Sequence, residues 1–253
     1  MKYYDTIEMH FYFGKDYFPV KRQSLEEILD LMAERKIKYN VMMSYMSLFG
    51  DFEKGNEELF TAIEKYDNLL GYCYINGHYM KESIKQMEMY LPLKQCGGVK
   101  FHPEYSAKRP DDDSLLPLFQ ELAHKYGKPI NIHSWPFGEH GNPRPFSHPS
   151  CHAALAAKIP ELNIIMGHMG GPEWAEAIKI AAPFPNLYLD TGSSYTHYDK
   201  VKAAVDVIGA DRLLFGSGCS FDAQLGSIYD SEITEEEKRQ VLYGTAAKLF
   251  NIE

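Results

Sequence analysis

The sequence predicts one (β/α)8 barrel of the TIM type, an α/β fold in a single domain. Three observations carry the prediction: eight short apolar segments alternate with amphipathic helical ones, the apolar segments read as continuous runs, and each ends in a polar residue. Continuous runs suit parallel strands covered on both faces, and a strand–helix unit of this length cannot bury itself alone. An open doubly wound sheet would share the alternation, but no Gly-rich phosphate loop follows the first strand. No linker or shift in composition divides residues 1–253, so the whole chain reads as one barrel domain.

The elements follow in order. The first strand centres on Ile7-Glu8-Met9-His10-Phe11-Tyr12. Ser24, with Glu27 three residues on, forms a capping box that opens a helix through Leu25, Ile28, Leu29 and Met32. Strands are expected over 39–44, 69–75, 98–102, 129–133, 163–168, 186–190 and 212–216. The helices between and after them are expected near 57–65, 81–90, 114–126, 149–158, 173–182, 199–207 and 235–250. Residues 136–149, rich in Pro and Gly, form the one long loop. It follows the fifth strand, on the face where barrels of this kind do chemistry.

Composition narrows the function. A hydrophobic content of 45% is ample for a sizeable core. The net charge of −9, with acids and bases mixed along the chain, argues against a nucleic-acid surface and against an anionic membrane, both of which ask for clustered Lys and Arg. A small molecule is the expected partner, with a homo-oligomer left open. Cys73, Cys96, Cys151 and Cys219 are widely spaced with no C-x-x-C, which suits reduced thiols. There is neither a signal-peptide pattern nor a run of eighteen apolar residues, so the expected setting is the cytoplasm.

In an extended strand, residues two apart share a face, so Glu8 and His10 can converge as half of a metal site. A catalytic zinc takes three protein ligands plus water, so another strand must supply the rest. In a barrel, the strand ends bring Glu8, His10, His102, His133, His168 and Asp190 to one mouth. Each alone has a bland reading: a solvated pair, a histidine capping a carbonyl, an aspartate in an ordinary turn. Their joint placement favours a metal centre, because neutral imidazole and carboxylate are the ligands zinc takes.

Several segments resemble the amidohydrolase-related barrels of the amidohydrolase superfamily, which include metal-dependent hydrolases and decarboxylases of aminocarboxymuconate semialdehyde and resorcylate type. They are Gly98-Val99-Lys100-Phe101-His102-Pro103, Pro129-Ile130-Asn131-Ile132-His133, Gly167-His168-Met169-Gly170-Gly171, Asn186-Leu187-Tyr188-Leu189-Asp190, and Ala210 through Ser217. The resemblance implies that Glu8, His10 and His133 bind one divalent metal ion, zinc, with manganese as the alternative. It implies that His168 acts as acid or base beside it, with Asp190 as a further catalytic candidate. Tyr12, Lys100, His102 and Trp135 are the candidate substrate contacts, and Lys100 suits an anionic substrate.

Two departures bear on the reaction. Glu8-x-His10 replaces the His-x-His of most hydrolases and is closer to the decarboxylase members, whereas the short chain is closer to the general hydrolases. Gly216-Ser217-Gly218 stands where the family has Gly-Ser-Asp, so a ligand and water-activating base is missing. With one carboxylate and two imidazoles, a divalent ion keeps a net charge of +1, which favours an anionic substrate. Asp222 or Cys219 could replace the missing ligand. The expected function is hydrolysis or non-oxidative decarboxylation of a small carboxylated, amide or ester compound. The alternative, resting on Gly218, is a catalytically silent barrel that binds a ligand or partner.

Overall fold

The computed structural model describes residues 3–14, 24–137, 145–192, 197–218 and 220–252. Eight parallel strands lie side by side in chain order: β1 Thr6–Phe13, β2 Ile37–Ser44, β3 Leu69–Ile75, β4 Cys96–Phe101, β5 Ile130–Ile132, β6 Ile164–Met166, β7 Leu187–Asp190 and β8 Leu213–Leu214. Two backbone hydrogen bonds bring the last strand back to the first, from Met9 N to Phe215 O (3.2 Å) and from Gly218 N to His10 O (2.9 Å). The sheet is thereby a nearly closed barrel.

Helices cover its outer face: α1 Leu25–Arg35, α2 Tyr45–Phe49, α3 Phe52–Ile63, α4 Met80–Tyr90, α5 Leu116–Glu121, α6 Pro149–Lys158, α7 Trp174–Ala181, α8 Lys200–Ile208, α9 Phe221–Tyr229, α10 Glu235–Arg239 and α11 Thr245–Phe250. Ser24 and Glu27 form the expected capping box. The third helix starts five residues before its apolar pattern suggests, because the Asp51 side chain accepts from Lys54 N and caps it there. The helix expected over 235–250 is interrupted by a π-helical turn, Gln240–Gly244. Among the described residues, no helix is long and apolar enough to cross a membrane.

Alternate strand residues separate into two apolar layers. Ile7, Met9, Val41, Met43, Tyr72, Ile165 and Leu214 meet inside the barrel, while Phe11, Met42, Val99, Ile130, Leu189 and Leu213 pack outward against the helices. Each such burial contributes roughly 1.5–3 kcal/mol, so a slip by one residue would exchange the layers and is strongly opposed. β1 departs from this alternation. Its pairing runs Glu8 opposite Asn40 and then Phe11 opposite Met42, one residue more than β2 spends over the same length. A bulge therefore sits where the first strand reaches the mouth.

Candidate metal centre and active site

The bulge changes how Glu8 and His10 meet. The His10 amide donates to Glu8 Oε1 (2.8 Å), and the Ser217 amide does the same from the end of β8 (3.0 Å). The carboxylate thus satisfies an amide freed by the bulge and stitches β1 to β8. Its second oxygen, Oε2, is buried without a hydrogen bond. Burial lifts the Glu8 carboxyl to about 8, against the opposing pull of the His10 amide and of the Ser217 side chain and amide.

The imidazole of His10 faces β7. Its Nδ1 lies 2.9 Å from Asp190 Oδ2, and its Nε2 lies 3.2 Å from the Tyr12 hydroxyl. Asp190 Oδ1 accepts from the backbone amides of His168 (3.1 Å) and Gly192 (2.7 Å). Burial opposes the ionisation of Asp190, but His10, His168 and Lys100 beside it hold the carboxyl below its ordinary value. Burial lowers His10, so the ring is a neutral donor through Nδ1.

A second chain of hydrogen bonds fixes the other two rings. His168 Nδ1 meets the carbonyl oxygen of Gly192, and its Nε2 lies 3.0 Å from His133 Nδ1. A carbonyl only accepts, so His168 carries its proton on Nδ1. Neutral His168 then accepts at Nε2, and His133 must donate from Nδ1. That leaves the lone pair of His133 on Nε2, a buried atom with no hydrogen-bond partner. Burial pushes His168 down to about 3, and burial with the neighbouring imidazoles pushes His133 well below its ordinary value.

These groups suit a divalent cation. Neutral imidazoles with their other nitrogen tied up are the form in which histidine ligates a metal, and a carboxylate behind the ring orients it. Glu8 Oε2 and His133 Nε2 are buried without hydrogen-bond partners. Among the described residues, the group whose ligand-capable atoms all lie within 4.8 Å of one another is His10, His168 and Asp190, all buried; Glu8 and His133 lie outside it.

Aromatic rings close a circuit around this centre. Tyr12 stacks on Tyr45 (4.6 Å between centroids) and Tyr45 on Phe49 (6.0 Å); Phe49 meets Tyr105 (5.3 Å). Tyr105 stacks on His102 (3.7 Å) and His102 on His133 (3.9 Å), from which His168 and His10 lead back to Tyr12. Phe49 and Tyr105 form the lip, 43% and 47% exposed. Trp135 presents its ring edge-on to His168 (5.6 Å).

The backbone after β6 is bent to allow this. His168, Met169, Gly170 and Gly171 all have positive φ, between 49° and 76°. Two of the four are not glycine, a strained arrangement of the kind that clusters at functional sites. A Cβ on Gly171 would sit 2.7 Å from the Trp135 ring, so that glycine makes room for the indole.

The structure thus gathers Glu8, His10, His102, His133, His168 and Asp190 at one end of the barrel, with Tyr12 and Trp135 at its rim. Lys100 lies one layer deeper, fully buried, donating to Asn131 Oδ1 (2.6 Å); burial lowers it to about 7. Asp222 is instead 69% exposed on α9 and paired with Arg35 (3.0 Å). Cys219 and residues 138–144 of the long loop lie outside the described residues. Gly218 has φ +55°.

Sequence reasoning missed Tyr45, Tyr105 and Asn131, and read Thr191-Gly192 only as an ordinary turn. Asn131 was within reach, since it lies two residues before His133 on the same strand face. Tyr45 and Tyr105 carry no such signal, sitting on a five-residue helix and a turn.

The family profile described as Amidohydrolase matches residues 59–252. No curated protein matches the chain by sequence. Among solved structures, a dihydroxybenzoic acid decarboxylase from a Polaromonas species, holding manganese and the inhibitor 2-nitroresorcinol, superposes with a TM-score of 0.77 at 18% identity, covering 100% of this chain and 98% of that one. A 2,6-dihydroxybenzoate decarboxylase from Rhizobium gives 0.77 at 17%, covering 100% and 99%. A TIM-barrel protein from Bordetella bronchiseptica gives 0.77 at 20%, covering 98% of each chain. At these identities the superpositions speak for the fold, and the family rests on the profile match, which spans most of the barrel. The chain belongs to the amidohydrolase family.

Proposed function

We propose that the protein is a metal-dependent, non-oxidative decarboxylase of a small planar carboxylate, with Glu8, His10 and His133 holding one divalent ion, manganese or zinc. The observation that carries the reading is the donor set: Glu8 Oε2 and His133 Nε2 buried without hydrogen-bond partners, beside a His10 ring oriented by Asp190. When bound, such an ion acts as a Lewis acid toward a carboxylate or phenolate oxygen of the substrate.

Decarboxylation is favoured over hydrolysis by what Asp190 already does. Its two oxygens accept from His168 N, Gly192 N and His10 Nδ1, so it is an orienting group and a poor base for activating water. With Gly218 in place of the family's aspartate, no other carboxylate described at the mouth takes that role. Loss of CO2 instead breaks a carbon–carbon bond and returns one proton to the carbon. Burial makes the imidazolium of His168 a strong acid, and an anionic substrate supplies the countercharge under which His168 takes up that proton. The aromatic circuit supports a flat ring as the substrate, as in the dihydroxybenzoates named for two structural neighbours. The buried free thiols of Cys73, Cys96 and Cys151 support a reducing, cytoplasmic setting.

The test is an assay of protein reconstituted with Mn2+ or Zn2+ against hydroxylated benzoates, aliphatic carboxylates of similar size, and their amides and esters. CO2 release confined to planar ring carboxylates is expected, with His168→Asn lowering it by about 10²–10⁴-fold. Release of an amine or alcohol without CO2 would make the protein a hydrolase. Neither product from metal-loaded protein would support the silent barrel.

A further inference from the structure

Lys200 is the first residue of α8 and is 1% exposed. A lysine at a helix start is ordinarily solvated, and here two effects oppose its charge. Burial pushes the ammonium down to about 8, and the helix N-terminus is the positive end of the helix dipole. The charge of Asp190 favours the ammonium.

Its Nζ donates to the carbonyl oxygen of Thr191 (3.1 Å). That residue and Gly192 form the turn after β7, and the turn's other polar atoms are also committed. Thr191 N donates to Leu214 O (3.0 Å), and Thr191 Oγ1 donates to Gly216 O (2.9 Å) while accepting from Gly216 N (3.2 Å). Gly192 N donates to Asp190 Oδ1, and Gly192 O accepts from His168 Nδ1. A Cβ on Gly192 would lie 2.9 Å from Asp190 Oδ1 and 3.2 Å from the Gly216 carbonyl carbon, so there is no room for a side chain there.

We propose that Lys200 is a positioning residue: by fixing the Thr191 carbonyl, it aims the next carbonyl, that of Gly192, at His168 and holds that ring as the Nδ1–H tautomer. The consequence passes along the chain of rings. With its proton on Nδ1, His168 accepts at Nε2 from His133, and only then does His133 present Nε2 as a free lone pair. The functional weight of this rests on the decarboxylase reading, but the tautomer itself belongs to the metal-free protein and is tested there.

The experiment is long-range proton–nitrogen NMR of metal-free, 15N-histidine-labelled protein, with the His168 signals assigned by their loss in His168→Asn. Wild type is expected to show a neutral Nδ1–H ring, and folded Lys200→Met a mixture of both tautomers. In a parallel titration, Mn2+ affinity should fall by about 10–100-fold, as for loss of other outer partners of a metal site. A purely structural lysine would lower the melting temperature and leave the tautomer unchanged. A wild-type signal of Nε2–H type, or a Lys200→Met signal identical to wild type, overturns the proposal. If Lys200→Met does not fold, Lys200→Gln is measured the same way: its shorter neutral donor should split the signal, and an unsplit wild-type signal overturns the proposal. Failure of wild type to release CO2 would refute the proposed reaction and leave this result standing.

Discussion

His10 Nδ1 and Asp190 Oδ2 lie 2.9 Å apart across the barrel mouth, and both side chains are fully buried. The pair joins the first strand to the seventh, and its arrangement sets the direction of the His10 lone pair. Because Asp190 is held ionised and an ionised carboxylate can only accept, it keeps the proton of His10 on Nδ1 and leaves Nε2 to face the site. The same carboxylate also takes two backbone amides, so its orientation is set by the chain as well as by the ring.

Asp190→Asn tests that arrangement. An amide can turn its NH2 toward His10 and then stabilises the wrong tautomer. Affinity for Mn2+ or Zn2+ is expected to fall by about 10–100-fold, as for loss of other outer-shell carboxylates. A metal titration with a thermal melt alongside separates this from misfolding. Unchanged affinity in a folded variant would remove Asp190 from the account of the site.

Gly171→Ala tests the bend after β6. The new methyl would meet the Trp135 ring at 2.7 Å, at a residue whose φ is +59°. Overpacking of this kind typically costs about 1–3 kcal/mol, and the left-handed backbone adds to it. A lowered melting temperature with an altered indole fluorescence spectrum is expected. A melt and spectrum like wild type would mean that the indole does not occupy this position.

A pH dependence follows from His152, which is buried on α6 with its ring against the backbone of Ile132 and His133. Its Nδ1 donates to His148 O (3.2 Å), and burial lowers it from 6.5 to about 4. The unfolded chain therefore binds a proton between those values that the folded chain refuses. Stability should fall as pH drops from 6.5 toward 4, by at most about 1.4 kcal/mol per pH unit from this group. Urea denaturation of metal-free protein at several pH values should show a steeper loss in wild type than in His152→Gln. Equal slopes would contradict the assignment.

Much of this was legible in the chain itself, for identifiable reasons. Continuous runs such as Leu69–Ile75 suit strands covered on both faces, and eight of them alternating with helices leave few topologies. The strand-end histidines follow once the barrel is assumed. The bulge at Glu8 is not legible, because an alternating pattern looks the same with or without an extra residue until its neighbour's register is known. Nor is the stack of Tyr105 on His102, which depends on a turn of a few residues. Lys200 reads as a solvated helix start, and only the folded chain reveals its burial. The expectation that Asp222 could replace the family's strand-eight aspartate fails on distance, since its helix carries it out to Arg35.

The most direct test of the central claim is the metal content of protein purified without chelator, measured for wild type, Glu8→Gln and His133→Ala. About one equivalent of manganese or zinc is expected in wild type and a large loss in both variants, each still folded by thermal melting. Wild-type protein that holds no divalent metal even after reconstitution, or variants that keep a full equivalent, would contradict that claim.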